Sequence, residues 1–97
     1  MIEKSGNGWR VSGPMLIAGA VSLLDSGRSF LSSANSADGV VFDLSAVEET
    51  DSSALGVIFG WLRTAQAGGV KMHIANPPAS MLSLAALYGV SDSLPLA

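Results

Sequence analysis

Cysteine is absent from this chain, which removes disulfide frameworks and thiolate zinc sites and fits a reducing compartment. Charge is scarce too. Only 13% of the residues are Asp, Glu, Lys or Arg, and the five Lys plus Arg are scattered, so no basic patch is available to neutralise phosphates. With a formal net charge of −3, nucleic acid is not an expected ligand. Apolar runs are interrupted by Ser, Gly or Asp well short of the ~20 residues a bilayer span requires, so no direct membrane insertion is expected. The opening residues Met1-Ile2-Glu3-Lys4-Ser5-Gly6 lack the basic-then-apolar order of an export signal, and a cytoplasmic location is the expectation. Gly-rich phosphate-binding patterns are missing, so nucleotide binding has no motif behind it.

What remains is apolar and compact in design. Ninety-seven residues that are 48% hydrophobic suit a single domain covering residues 1–97, with one core that most elements must touch. Residues 2–5 and 9–12 read as two strands joined across Gly6-Asn7-Gly8, because Gly and Asn supply the positive φ angles of a tight hairpin. Residues 18–33 carry Ala20, Val21, Leu23, Leu24, Phe30 and Leu31 at helical intervals; Gly27 weakens that helix by ~1 kcal/mol relative to Ala. Asn35-Ser36-Ala37-Asp38-Gly39 is a loop by composition. Residues 40–44 form a β-favouring run suited to a central strand covered on both faces.

Residues 52–67 place Leu55, Ile58, Leu62 and Ala65 on one helical face, flanked by Ala54, Phe59 and Trp61. The opposite arc holds Ser53, Gly56, Gly60 and Thr64, small residues that let another backbone come close. Two readings stay open for its glycines: a docking face, or internal packing. Gly68-Gly69 ends the helix, and residues 70–74 alternate as a second inner strand. Asn76 is expected to cap a last helix whose first turn accepts Pro77 and Pro78, with Met81, Leu84, Ala85 and Tyr88 as its buried stripe. Strands alternating with helices imply crossover connections and a largely parallel inner sheet, an α/β fold.

The chemistry concentrates between Asp43 and Gly56. Asp51, Ser52 and Ser53 read first as a helix N-cap. The free amides and dipole of a first helical turn also receive a phosphate well, so Ser52 is a physically sensible phosphorylation site. Asp43, Glu48, Glu49 and Asp51 gather carboxylates, but their spacing matches no metal loop and a solvated acidic rim is the ordinary account. A Ser52, His73 and Asp43 hydrolase triad can be drawn on paper, yet it lacks the Gly-x-Ser-x-Gly elbow, and His73 falls mid-strand. No catalytic residue, metal or cofactor is expected.

Val41-Phe42-Asp43-Leu44-Ser45-Ala46-Val47 followed by Thr50-Asp51-Ser52-Ser53-Ala54-Leu55-Gly56-Val57-Ile58 resembles the STAS domain of anti-anti-sigma factors. The resemblance extends over nearly the whole chain, from the first hairpin to the last helix. Leu84-Ala85-Ala86-Leu87-Tyr88-Gly89-Val90 and the ending Leu94-Pro95-Leu96 look more like the MlaB branch, small cytoplasmic subunits of phospholipid-transporting ABC systems. The resemblance implies a STAS-type α/β domain without enzyme activity that binds an ABC-transporter ATPase subunit and sits at the inner face of the membrane through it. The alternative is an anti-anti-sigma factor that binds a serine-kinase anti-sigma factor and is regulated by phosphorylation of Ser52. Either way, Asp43, Asp51, Ser52, Ser53, Gly56, Gly60 and Thr64 are the expected partner-binding residues. Ala54 departs from the Gly that many members carry there.

Overall fold

The computed structural model describes residues 1–6, 8–34 and 39–97. Among these it holds β1 (Ile2–Ser5), β2 (Gly8–Ser12), α1 (Ala20–Ser33), β3 (Val40–Ala46), α2 (Ser52–Ala67), β4 (Met72–Ala75) and α3 (Ala79–Leu87). Short 3-10 turns precede α1 at Ile17–Gly19 and follow α3 at Ser91–Ser93. The strands form one sheet in the order β1-β2-β3-β4, antiparallel in the β1/β2 hairpin and parallel from β2 to β4. This is the expected α/β arrangement. Asn7 of the hairpin turn and Asn35, Ser36, Ala37 and Asp38 of the expected loop lie outside the described residues.

The helices share one side of the sheet. Val40, Phe42 and Leu44 of β3 are buried in one core with Val11 of β2, Met72 and Ile74 of β4, and Leu31, Ile58, Trp61, Met81 and Ala85 of the helices. Val41, 37% exposed, and the exposed Ser45 point the other way, so β3 is covered on one face and not on both. An apolar run of β-branched residues leaves that distinction open, since Val is tolerated on either side of a pleat. Whereas β3 pairs on both sides, β4, expected as an inner strand, is an edge strand of the named four. Its outer edge is closed by the chain's last residues: Ile74 N–H donates to the Pro95 carbonyl at 2.8 Å, and Ala97 N–H to the Ile74 carbonyl at 2.9 Å.

α1 and α2 run side by side in the same direction, and two glycines set how closely they approach. The Gly27 position lies against the Trp61 ring, so a Cβ there would fall 2.1 Å from Trp61 Nε1. That contact requires glycine. The indole N–H donates to the Leu24 carbonyl at 3.1 Å, while the ring stacks on Phe42 with centroids 4.4 Å apart. A second stack, Trp9 on Phe30 at 4.1 Å, fixes α1 to the hairpin. Phe42 and Trp61 are fully buried and each contributes roughly 1.5–3 kcal/mol, so this stack is a main support of the layer, while the half-buried Trp9 and Phe30 add less.

Three details of the helices differ from expectation. Val21, placed on the buried stripe of α1, is 72% exposed: the inward side is carried by Ala20, Leu23, Leu24, Gly27 and Leu31, and Val21 falls on the outer face with Asp25 and Arg28. Asn76 does not cap α3. It adopts a left-handed φ of 54° and directs its amide to Asp43, while Pro78 occupies the cap position without a side-chain bond. Tyr88, expected inside, is 57% exposed just past the end of α3, where Gly89 turns the chain with φ 70°.

Candidate partner-docking site

The end of β3 and the start of α2 are joined by residues that hydrogen-bond to one another across the loop. Asp51 is the N-cap of α2: Oδ1 accepts from the Ser53 N–H at 2.9 Å and from the Ser53 hydroxyl, while Oδ2 accepts from the Ile17 N–H at 2.9 Å. One carboxylate therefore ends two helical segments at once. The Ser53 hydroxyl, then the Ile17 amide, hold its pKa below the usual carboxylate value. Backbone bonds from Met15 N to Glu49 O at 2.8 Å and from Asp51 N to Met15 O at 3.3 Å hold the same junction. On its other side the Thr50 and Ser80 hydroxyls lie 2.7 Å apart, tying the loop to α3.

Asp43 belongs to a separate network on the open face of the sheet. Its carboxylate accepts from the Ser45 N–H at 3.0 Å, the Ser45 hydroxyl at 3.1 Å and the Asn76 amide at 3.1 Å, with Arg10 Nε at 3.9 Å. Its pKa is lowered first by the Ser45 N–H and next by Asn76, with Arg10 the least of the causes. Asp43 thus organises strand ends and the turn after β4, and none of its partners belongs to α2.

Ser52 is the first residue of α2, exposed between two neighbours committed to capping, and its hydroxyl has no hydrogen-bond partner among the described residues. Gly56, one turn on, is exposed too, and a Cβ added there would meet nothing within 4 Å. The outward stripe of α2 continues through the half-buried Phe59 to exposed Arg63 and Gln66.

The expected arc of Ser53, Gly56, Gly60 and Thr64 is therefore divided. Gly60 is buried beneath α1, where a Cβ would lie 2.6 Å from Leu24 Cδ1, so this glycine serves internal packing and presents no surface to a partner. Thr64 is half-buried on the same side, its hydroxyl donating to the Gly60 carbonyl at 3.2 Å. A periodicity count could not separate these positions, because the neighbour that covers Gly60 comes from α1, more than thirty residues earlier. Asp51, Ser52, Ser53 and Gly56 are brought together; Gly60, Thr64 and Asp43 face elsewhere.

An apolar cleft adjoins Ser52. Leu55, Phe59, Tyr88 and Val90 line it with the serine at its lip, enclosing about 330 Å³ between α2 and the end of α3. The sequence pattern assigned Leu55, Phe59 and Tyr88 to the interior, and nothing in their spacing marks the gap. His73 alternates outward from buried Met72 and Ile74, on the sheet face away from the helices, so Ser52, His73 and Asp43 form no triad. Among the described residues no three His, Asp or Glu side chains come together as a metal site.

Residues 4–96 match the family model described as "MlaB, STAS domain". No curated protein matches the sequence. Among solved structures, a Thermotoga maritima protein assigned as an anti-sigma factor antagonist is similar with a TM-score of 0.77 at 18% identity, over 99% of this chain and 83% of its own. The anti-sigma factor antagonist SpoIIAA in its unphosphorylated form gives 0.65 at 16% identity, covering 87% and 78% of the two chains. The phosphorylated form of SpoIIAA from Bacillus gives 0.68 at 16% identity, covering 100% and 89%.

Proposed function

Since the chain belongs to the MlaB-like STAS domain family, we propose that it is a non-catalytic subunit that binds, and supports or regulates, the cytoplasmic ATPase of an Mla-type phospholipid ABC transporter. The fold is that of the anti-sigma factor antagonists, and regulation through a protein partner is the kind of work the reading assigns to it. No helix of the described residues is long and apolar enough to cross a membrane, so attachment at the cytoplasmic face would come through the partner.

One observation carries the reading: Ser52 stands exposed at the first position of α2, beside the bare Gly56, while Asp51 and Ser53 hold the helix end rigid. A rigid, capped helix end loses little conformational freedom on docking. The chain would act by population shift, preferring one ATPase conformation and so changing its turnover by the difference in affinity between the two states.

The rival reading, phosphorylation of Ser52 by a serine-kinase anti-sigma factor, draws on the same exposed hydroxyl. A phosphate brings about −1.5 to −2 charges. The helix dipole favours it there, but Asp51, Glu48 and Glu49 beside it would oppose a close interface.

The test is co-purification of the chain with the ATPase subunit of the phospholipid ABC transporter, with ATP hydrolysis measured with and without it. A stable complex, altered turnover and loss of both in Ser52→Glu are expected. Failure to bind the ATPase, together with transfer of phosphate from a serine-kinase anti-sigma factor to Ser52, would replace this reading by its rival.

A further inference from the structure

We infer that the element received at this site is a basic amphipathic helix of the partner protein, seating an apolar side chain in the cleft between Phe59 and Tyr88 and lysine or arginine opposite Glu48, Glu49 and Asp92. This rests on the reading that the start of α2 docks a protein, and it names the chemistry of the docked segment.

Large apolar side chains are left bare on both sides of that helix end. Ile17 and Val21 are 73% and 72% exposed on one side, and Tyr88, 57% exposed, lines the cleft on the other. Single exposed apolar residues are ordinary, but a group around one helix terminus marks an interaction surface. The two flanks border one ridge, because α1 and α2 are parallel: Ile17 N–H meets Asp51, Leu24 meets Gly60, and one turn before that contact stand Val21 and Gly56. Between the flanks the ridge is Ser52 and Gly56, low enough for a second helix to lie against it.

Charge defines the partner further. Glu48 and Glu49 are exposed just before Ser52, and Asp92 is exposed two residues beyond Val90; none of the three forms an ion pair among the described residues. Four of the five basic residues lie elsewhere: Lys4 covers the Trp9 ring, Arg10 faces Asp43, Arg28 is on α1 and Lys71 precedes β4. The fifth, Arg63, is one turn beyond Phe59 on α2 and does not line the cleft. An acidic rim around an apolar cleft favours a cationic partner and disfavours an anionic lipid headgroup.

An amphipathic helix offers a single apolar stripe to such a cleft, and strand addition is not available at the neighbouring sheet edge. A docked strand needs an open sheet edge, and the β4 edge on this side is closed by the Pro95 and Ala97 bonds to Ile74. The cleft is at the small end of ligand pockets, which run from about 300 to 1,000 Å³, and it opens to solvent, as suits one inserted side chain.

The probe is a synthetic Leu/Lys amphipathic peptide of about 18 residues, long enough for appreciable helix, with a Leu/Glu peptide of the same pattern as its counterpart. Amide shifts of the isotope-labelled protein are recorded on titration. The Leu/Lys peptide is expected to move Ser52, Leu55, Gly56, Phe59, Tyr88 and Val90, and the Leu/Glu peptide to move none. Tyr88→Ser, at an exposed position, should weaken binding about tenfold, as loss of an aromatic anchor does. Glu48→Lys with Glu49→Lys should weaken it several-fold and flatten its salt dependence.

Absence of shifts with the Leu/Lys peptide, equal shifts with both peptides, shifts centred on Arg10, Asp43 and His73 instead, or the same shifts from anionic phospholipid vesicles would each overturn the inference. The peptides require no ATPase. A negative result here leaves ATPase binding standing, and a failed ATPase complex beside a positive peptide titration rejects the functional reading alone.

Discussion

Two glycines one turn apart on the same arc of α2 are there for opposite reasons. Toward α1, Gly60 is buried with Leu24 pressed over it, and Gly27 of the facing helix lies under the Trp61 ring. Toward solvent, Gly56 has open space where its side chain would be. Small residues on a helix thus mean either a neighbour already in place or room left for one. In this molecule four positions separate the two meanings.

The largest effect is expected from Gly27→Ala. A Cβ 2.1 Å from Trp61 Nε1 cannot be accommodated unless the indole leaves its stack on Phe42 or the helices separate. Overpacking of this kind typically costs 1–3 kcal/mol and occasionally more, so a loss of about 3 kcal/mol is expected in urea unfolding despite Ala's better helix propensity. Unchanged stability would mean that the α1/α2 seam is loose. Gly60→Leu should follow, at about 2 kcal/mol, because the tip of Leu24 can move aside but a whole isobutyl group must still be housed between the helices. Partner binding lost in Gly60→Leu would then reflect a disturbed fold, a distinction that a comparison of near-UV spectra makes directly.

That ambiguity shows where the sequence was legible. The bounds of α2 could be read from Ser52 to Ala67 because Asp51 supplies a cap, Gly68-Gly69 a stop, and the apolar spacing a continuous period. The parallel pairing of the later strands also followed from alternation of element types, and Asp51, Ser52 and Ser53 stood out as a helix start. Properties set by distant neighbours did not show. The bare face of β3, the burial of Gly60, the exposure of Val21 and the cleft beside Tyr88 all depend on which element lies across the gap. Asn76 failed as a cap for a similar reason: Asp43, thirty-three residues away, takes its amide.

Asp51 offers a way to sharpen the contrast through pH. Its pKa is lowered in the folded state by the Ser53 hydroxyl and the Ile17 amide, so the ionised carboxylate favours folding above the unfolded value of about 3.9, and this contribution is lost as pH falls through the lower folded value. Asp43, lowered by Ser45 and Asn76, acts in the same direction. Asp51→Asn should therefore lower the melting temperature near neutral pH by less than Gly60→Leu does. The gap from the native chain should narrow as pH is reduced below about 4. A constant gap across that range would show the carboxylate to be no better a cap than an amide. Because Asp51 ties α2 to the Ile17 turn, the same variant should also raise hydrogen exchange at Ile17 and Ser53 first.

Gly56→Ala is the smallest change and the most discriminating. With nothing within 4 Å of the new methyl group and an ordinary helical position to fill, the substitution should stabilise the isolated chain by about 0.5–1 kcal/mol, the difference in helix propensity. At a docked interface the same methyl occupies the ridge on which a partner backbone would rest, so affinity for the proposed ATPase partner should fall several-fold while folding improves. Stability and binding moving in opposite directions cannot come from damage to the fold. If the variant binds as the native chain does, Gly56 is merely an exposed glycine and the outward face of α2 holds no close contact. If it loses stability instead, a neighbour already lies over Gly56 as Leu24 lies over Gly60, and the two glycines are alike.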